Sequence, residues 1–202
     1  MRTITALFDT YEHAASAVRA VRDAGIDSAD ISLVANNVAG DIDADVDAEE
    51  GAAAGAGVGA VAGGGAGLLA GLGALAVPGI GPVIAGGWLL ATTVGALAGA
   101  AVGGAAGGLL GALANAGVPE EEAHVYAEGV RRGGTLVSVR AADDRADSIA
   151  AILRHADGVD IDARKANYIA EGWRGFDEDA PAYSEEQIRD YRSVYGSVPP
   201  IV

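Results

Sequence analysis

Between Glu50 and Glu120 the chain runs for 69 residues without a single charge. Within that stretch glycine recurs every fourth residue, at Gly51, Gly55, Gly59, Gly63, Gly67 and Gly71, and again at Gly95, Gly99, Gly103, Gly107 and Gly111. On an α-helix a four-residue step returns to nearly the same face, so each run predicts a groove of bare backbone along one side of a helix. Each glycine costs a helix about 1 kcal/mol relative to alanine. Close packing of a second backbone repays that loss through van der Waals and Cα–H···O contacts, as in small-xxx-small helix pairs. A flexible Gly/Ala linker keeps no such phase. The expected element is a glycine-zipper helical hairpin over residues 51–118, with arms 51–77 and 83–115 and a turn carrying Pro78, Gly79, Gly81 and Pro82.

Two environments suit such a hairpin. At 1.5 Å per residue the arms are roughly 40–50 Å long, enough to cross a hydrocarbon core of about 30 Å. An uncharged turn brings nothing expensive into a bilayer. Against insertion, the first arm has few bulky apolar residues: Val58, Val61, Leu68, Leu69, Leu72, Leu75 and Val77. The flanks, Asp41–Glu50 and Glu120–Glu122, are acidic and offer no positive anchor. A soluble homo-oligomeric structural or small-ligand-binding module, whose hairpins bundle into a buried centre, is the alternative. The expected partners are further copies of the chain and membrane lipid. A formal net charge of −15, with Lys165 the one lysine, repels phosphate backbones and argues against nucleic acid. There is no cysteine for a disulfide, a thiolate nucleophile or a Cys-based metal site. MRTITALFDTYEH lacks the apolar run of a signal peptide, so the expected location is cytoplasmic, with the hairpin reaching the inner membrane.

The flanking zones repeat one another. Residues 1–37 read as strand (3–8), helix and strand (30–35), with Asp9 or Thr10 as the helix cap, a stripe of Ala14, Ala17, Val18 and Val21, and Gly25 as the stop. Residues 119–166 read as a helix opened by Pro119 and three glutamates, a strand at 135–140, a helix capped by Asp143 or Asp144 with Ala146, Ile149, Ile152 and Leu153 in its stripe, and a strand at 159–163. Two such βαβ halves imply an α/β (α+β) fold: a ferredoxin-like split βαβ sandwich, four strands with helices on one face, and the glycine-zipper α-helical hairpin inserted between the halves. An acidic linker, 38–50, and an aromatic C-terminal arm, 167–202, complete the chain. In that arm Ser184-Glu185-Glu186-Gln187 predicts a capping box, with Ile188, Tyr191 and Tyr195 on one helical face, packing on its own or a neighbouring subunit.

Three segments, TALFDTYEHAASAVRAVRDAGI, GLGALAVPGIGPVIAGGWLLA and AGVPEEEAHVYAEGVRRGGTLVSV, resemble the bacterial heat-induced general stress protein 17M-like family over roughly residues 1–175. The resemblance implies a stress-induced, membrane-associated protein of unknown biochemical activity, and it supplies no catalytic residues.

No catalytic, cofactor or metal site emerges from the residues themselves. Counted as an EF-hand loop from Asp41, the positions that need glycine and glutamate hold Val46 and Ala52, so the acidic run reads as a solvated linker. His13, His124 and His155 each fall on a predicted helix, none at metal-ligand spacing. GAGVGAVAGGG has dinucleotide-like glycine spacing but no preceding strand or βαβ context. A non-enzymatic role is the expectation.

Overall fold

A computed structural model describes residues 1–40, 42, 73–89 and 108–195. Among these are five strands and six helices: β1 (Arg2–Phe8), α1 (Tyr11–Asp23), β2 (Ile31–Asn36), β3 (Gly73–Val77), β4 (Gly81–Gly87), α2 (Gly108–Asn115), α3 (Glu120–Arg131), β5 (Thr135–Ala141), α4 (Ala146–His155), α5 (Ile161–Ala170) and α6 (Glu185–Tyr195). The strands form one sheet, ordered β1-β5-β2-β4-β3, with every neighbouring pair antiparallel. Because β1 and β2 both run against β5, they are parallel to each other across it.

Local chemistry starts and stops these elements. The Thr10 hydroxyl accepts from the His13 N–H at 3.2 Å and caps α1. That helix buries Ala14, Ala17, Val18 and Val21. The three glutamates at the start of α3 sit in its first turn, where the helix dipole favours them. The predicted caps of α4 do not form: Arg145 holds the N-cap position without a side-chain bond.

The expected fourth strand, 159–163, is mostly helix. Asp160 Oδ1 accepts from the N–H groups of Asp162 and Ala163 at 3.1 and 3.0 Å and opens α5. Val159 alone reaches the sheet edge, its N–H donating to the Leu7 carbonyl at 2.8 Å. The alternation Val-Asp-Ile-Asp-Ala imitates a strand, but the first aspartate is worth more as a cap, and Tyr168 one turn-pair later is fully buried.

The described part of the hairpin is also corrected. Residues 73–77 and 83–87, assigned to helical arms, are strands, and the second strand takes in the expected turn residues Gly81 and Pro82. The two strands turn at Pro78-Gly79, where the Ile80 N–H donates to the Val77 carbonyl at 3.1 Å and Gly79 has φ +72°. Proline before a positive-φ glycine is the type II pattern. The tertiary reason for strand over helix lies in β2, which needs a partner for the edge that β5 leaves open. β4 supplies it, with Asn36 opposite Val83 and Ala35 opposite Ile84.

Helices cover both faces of the sheet, rather than one. On one side α1 and α4 pack Val18, Val21, Ile149 and Leu153 against Phe8, Ile31, Leu33, Val137 and Val139. On the other, α2 and α3 pack Leu109, Leu113, Tyr126 and Val130 against Leu7, Val34, Val83 and Leu136. All six residues of β2 are therefore buried.

Gly87 is where β4 presses closest on β2. It has φ +86°, and a Cβ there would stand 2.1 Å from the Ile31 carbonyl oxygen. Replacing Gly87 with alanine is expected to destabilise the fold by about 3 kcal/mol, from the strained φ plus the clash. Gly25→Ala, at φ +85° with nothing within 4 Å, is expected to cost only about 1 kcal/mol. Urea denaturation of the two variants checks this, and equal losses would show that the contact is not tight.

Candidate functional site

The C-terminal segment, expected as an aromatic arm, packs on its own chain. Ser184 and Gln187 form the predicted reciprocal box: Gln187 N–H donates to Ser184 Oγ at 3.3 Å, and Ser184 N–H to Gln187 Oε1 at 2.8 Å. That box opens α6, which buries Ile188 and stacks Tyr191 on Tyr195 with ring centroids 4.5 Å apart.

Beneath the arm lies a network of buried charge. Glu128 on α3 is 1% exposed and receives Arg132 Nε at 2.7 Å and Arg131 Nη1 at 3.4 Å. Arg132 also pairs with Glu171, whose second oxygen accepts from Tyr195 OH at 3.1 Å. On α5, Arg164 grips Asp9 with two parallel bonds of 2.7 and 2.9 Å and bonds Tyr191 OH at 2.7 Å. Both guanidiniums lie on aromatic rings, Arg132 over Tyr168 at 4.2 Å and Arg164 over Tyr195 at 4.5 Å. Burial works against the charge on Arg132 and Arg164, but the hydrogen bonds to their carboxylates outweigh it, and both are held more firmly protonated than usual. Arginine suits these places because its planar fork satisfies a carboxylate and a ring face together. The arm is thus clasped to α3, α5 and the start of α1.

The clasp shapes an open cleft of about 430 Å³ between α3 and α5. Its walls include Glu121 and His124 from α3, Lys165 and Ile169 from α5, and Trp173 and Arg174 from the segment that follows. Lys165 Nζ bonds Glu121 Oε2 at 2.8 Å, which lowers the glutamate's pKa and raises the lysine's. His124 Nδ1 accepts the Phe176 N–H at 3.1 Å.

The hairpin contributes the other notable geometry. Gly73, where β3 begins, pairs with Ala85 near the end of β4. The chain therefore enters β3 and leaves β4 at the same end of the sheet. The opposite end, the turn, is tucked into the domain: Ile80 is fully buried, and a Cβ on Gly79 would meet the Asp177 carbonyl at 2.7 Å. Pro82 accepts the Asn37 N–H at 2.9 Å, and Gly81 lies beside Ala182 and Val38. The four predicted turn residues do make a turn, but it is anchored rather than free.

Of the predicted helix-packing glycines, Gly111 lies in α2, whose Leu109, Ala112 and Leu113 face the core. Gly51, Gly55, Gly59, Gly63, Gly67, Gly71, Gly95, Gly99, Gly103 and Gly107 lie outside the described residues, as does the acidic run except Ile42, which exchanges two bonds with Asn37. His13 stands 3.9 Å from Asp157, and exposed His155 contacts the Ala151 carbonyl. Among the described residues no group of three or more His, Cys, Asp or Glu side chains could hold a metal, and no helix is long and apolar enough to cross a membrane. The charge network escaped the reading of the residues. Its one legible trace was Glu128 and Arg132 four apart on an otherwise apolar stripe. No protein-family model, curated protein or solved structure matches this chain.

Glu128→Ala is expected to destabilise the protein by about 3–5 kcal/mol by leaving two arginines under-compensated; Glu128→Met with Arg132→Met should recover part of that loss in urea titrations. Burial also raises the phenol pKa of Tyr126, Tyr168, Tyr191 and Tyr195 above the ordinary value of about 10. Their contribution to stability is intact below that pH and falls as pH rises beyond it, because the unfolded chain then releases protons that the folded one keeps. Phenolate absorbance from Tyr126, Tyr168 and Tyr191, the three largely buried phenols, should appear only together with loss of the near-ultraviolet circular dichroism; their titration in the intact fold would contradict that burial.

Proposed function

We propose that this chain is a non-enzymatic, self-associating protein, in which the α/β domain presents two uncharged, glycine-phased segments side by side for packing against those of further copies. The observation that carries the reading is the hairpin: the glycine runs precede β3 and follow β4, and those two ends leave the sheet together. The points where the chain enters β3 and leaves β4 are neighbours at one end of the sheet. The phase of the glycines supports backbone-to-backbone packing, the interaction that small residues permit and large ones prevent.

The resemblance to general stress proteins of the 17M-like family supports a structural role at the cytoplasmic face of the inner membrane. Lipid contact belongs to the same uncharged segments and not to the hairpin turn, which lies within the domain. A ferredoxin-like ancestry for the sheet fits the way β5 runs between β1 and β2 around α1, with the β3–β4 hairpin as an added edge.

Sedimentation velocity in detergent-free buffer tests the proposal. An assembly several times the 19.9 kDa chain mass is expected, and Gly59→Leu with Gly103→Leu should dissociate it while the circular dichroism of the α/β domain stays unchanged. A monomer at every concentration, or an assembly indifferent to both substitutions, would reject it. Flotation with anionic-lipid vesicles then separates the two environments: co-flotation abolished by the same substitutions places the segments at lipid, and its absence leaves the soluble oligomer.

A further inference from the structure

We propose that the cleft between α3 and α5 binds a small, flat organic acid: an aromatic ring carrying a single carboxylate. This site is separate from the glycine segments and does not depend on self-association.

Three features of the cleft select that chemistry. The first is charge. Lys165 is already held by Glu121, while Arg174, exposed at the mouth, makes no ion pair or hydrogen bond among the described residues. Two cations and one carboxylate line the cleft, and Glu122 and Asp162 also act on Lys165 from beside it, so Arg174 is the cation left to meet a ligand. One further carboxylate balances it, whereas a doubly charged phosphate would face Glu121 with charge to spare. A free guanidinium fork matches a carboxylate through two parallel bonds.

The second feature is an apolar wall. Ile169 is 55% exposed, one of three large hydrophobics left open among the described residues, and it stands in the cleft with the Trp173 indole. The indole is braced edge-on by Tyr168 at 5.7 Å between centroids. A rigid aromatic surface beside an open aliphatic side chain suits a flat ring, whose burial there removes apolar area from water.

The third is a ring donor on His124. His124 Nδ1 is occupied by the Phe176 N–H, so in the neutral ring the proton sits on Nε2, which remains for a ligand.

Two tryptophans, Trp88 and Trp173, make the test direct. In the ¹⁵N-labelled full chain, naphthoate should shift the Trp173 indole signal saturably and leave that of Trp88, which donates to the Asp30 carbonyl, in place. Naphthylmethanol, the same ring without charge, should bind at least about tenfold more weakly, having lost the charge-assisted bonds to Arg174. Arg174→Gln, a change at an exposed position, should weaken naphthoate to the level of the alcohol and leave the alcohol unaffected. No saturable shift of Trp173 at millimolar naphthoate would overturn the proposal. Equal binding of acid and alcohol, or displacement of naphthoate by an equal concentration of inorganic phosphate, would do the same.

Discussion

A strand buried on both faces can send its backbone hydrogen bonds only to its neighbours, and β2 is that strand. Its six residues are enclosed between α1 and α4 on one side and α2 and α3 on the other. Water cannot reach its amides, so both of its edges must be paired. One partner is β5, about 100 residues later in the chain; the other is β4, from the middle of the glycine-rich zone. The whole topology follows from that double obligation. The chain must return twice to β2, and the hairpin must be strand where its local composition favours helix packing.

Closing the sheet with residues so far apart demands something that holds the end of the chain in place. The charged clasp does this. Arg132 and Arg164 each connect a helix of the domain to the C-terminal arm, and each meets a carboxylate and a tyrosine face at once. Ion pairs at this depth add little net free energy over a well-packed apolar alternative, because desolvation offsets attraction. Their directional bonds instead set the place of the arm. The cleft beside Trp173 is lined partly by the start of that arm, Trp173, Arg174 and Gly175.

The molecule divides its composition accordingly. Arginine and carboxylate meet at defined distances in the α/β domain and its arm, a run of carboxylates fills 41–50, and charge is absent from the long glycine-bearing stretch. With a net charge of −15 the outer surface keeps copies apart over distances of about a Debye length. Uncharged segments escape that repulsion, which is the physical ground for proposing self-association through them.

Much of the domain was legible in the residues, because its signals are local. Thr10 and the Ser184–Gln187 box are caps within three residues of their partners, the stripes of α1 and α4 repeat at helical spacing, and Thr135–Ala141 reads as strand on its own. Pro78-Gly79 announced a turn. The sequence by itself determined those elements, the uncharged middle and the lack of any cysteine chemistry. Tertiary structure decided what local pattern could not. Val159–Ala163 alternates like a strand, yet Asp160 caps a helix. Residues 83–87 continue a helical arm, yet β2 draws them into the sheet. Glu128 and Arg132 lie four apart on an apolar stripe, and their partners, Tyr168 and Glu171, come from a segment about forty residues later. In each case a distant segment supplies the partner, and the hydrogen bonds and desolvation it brings exceed the few tenths of a kcal/mol by which local propensity prefers one state to another.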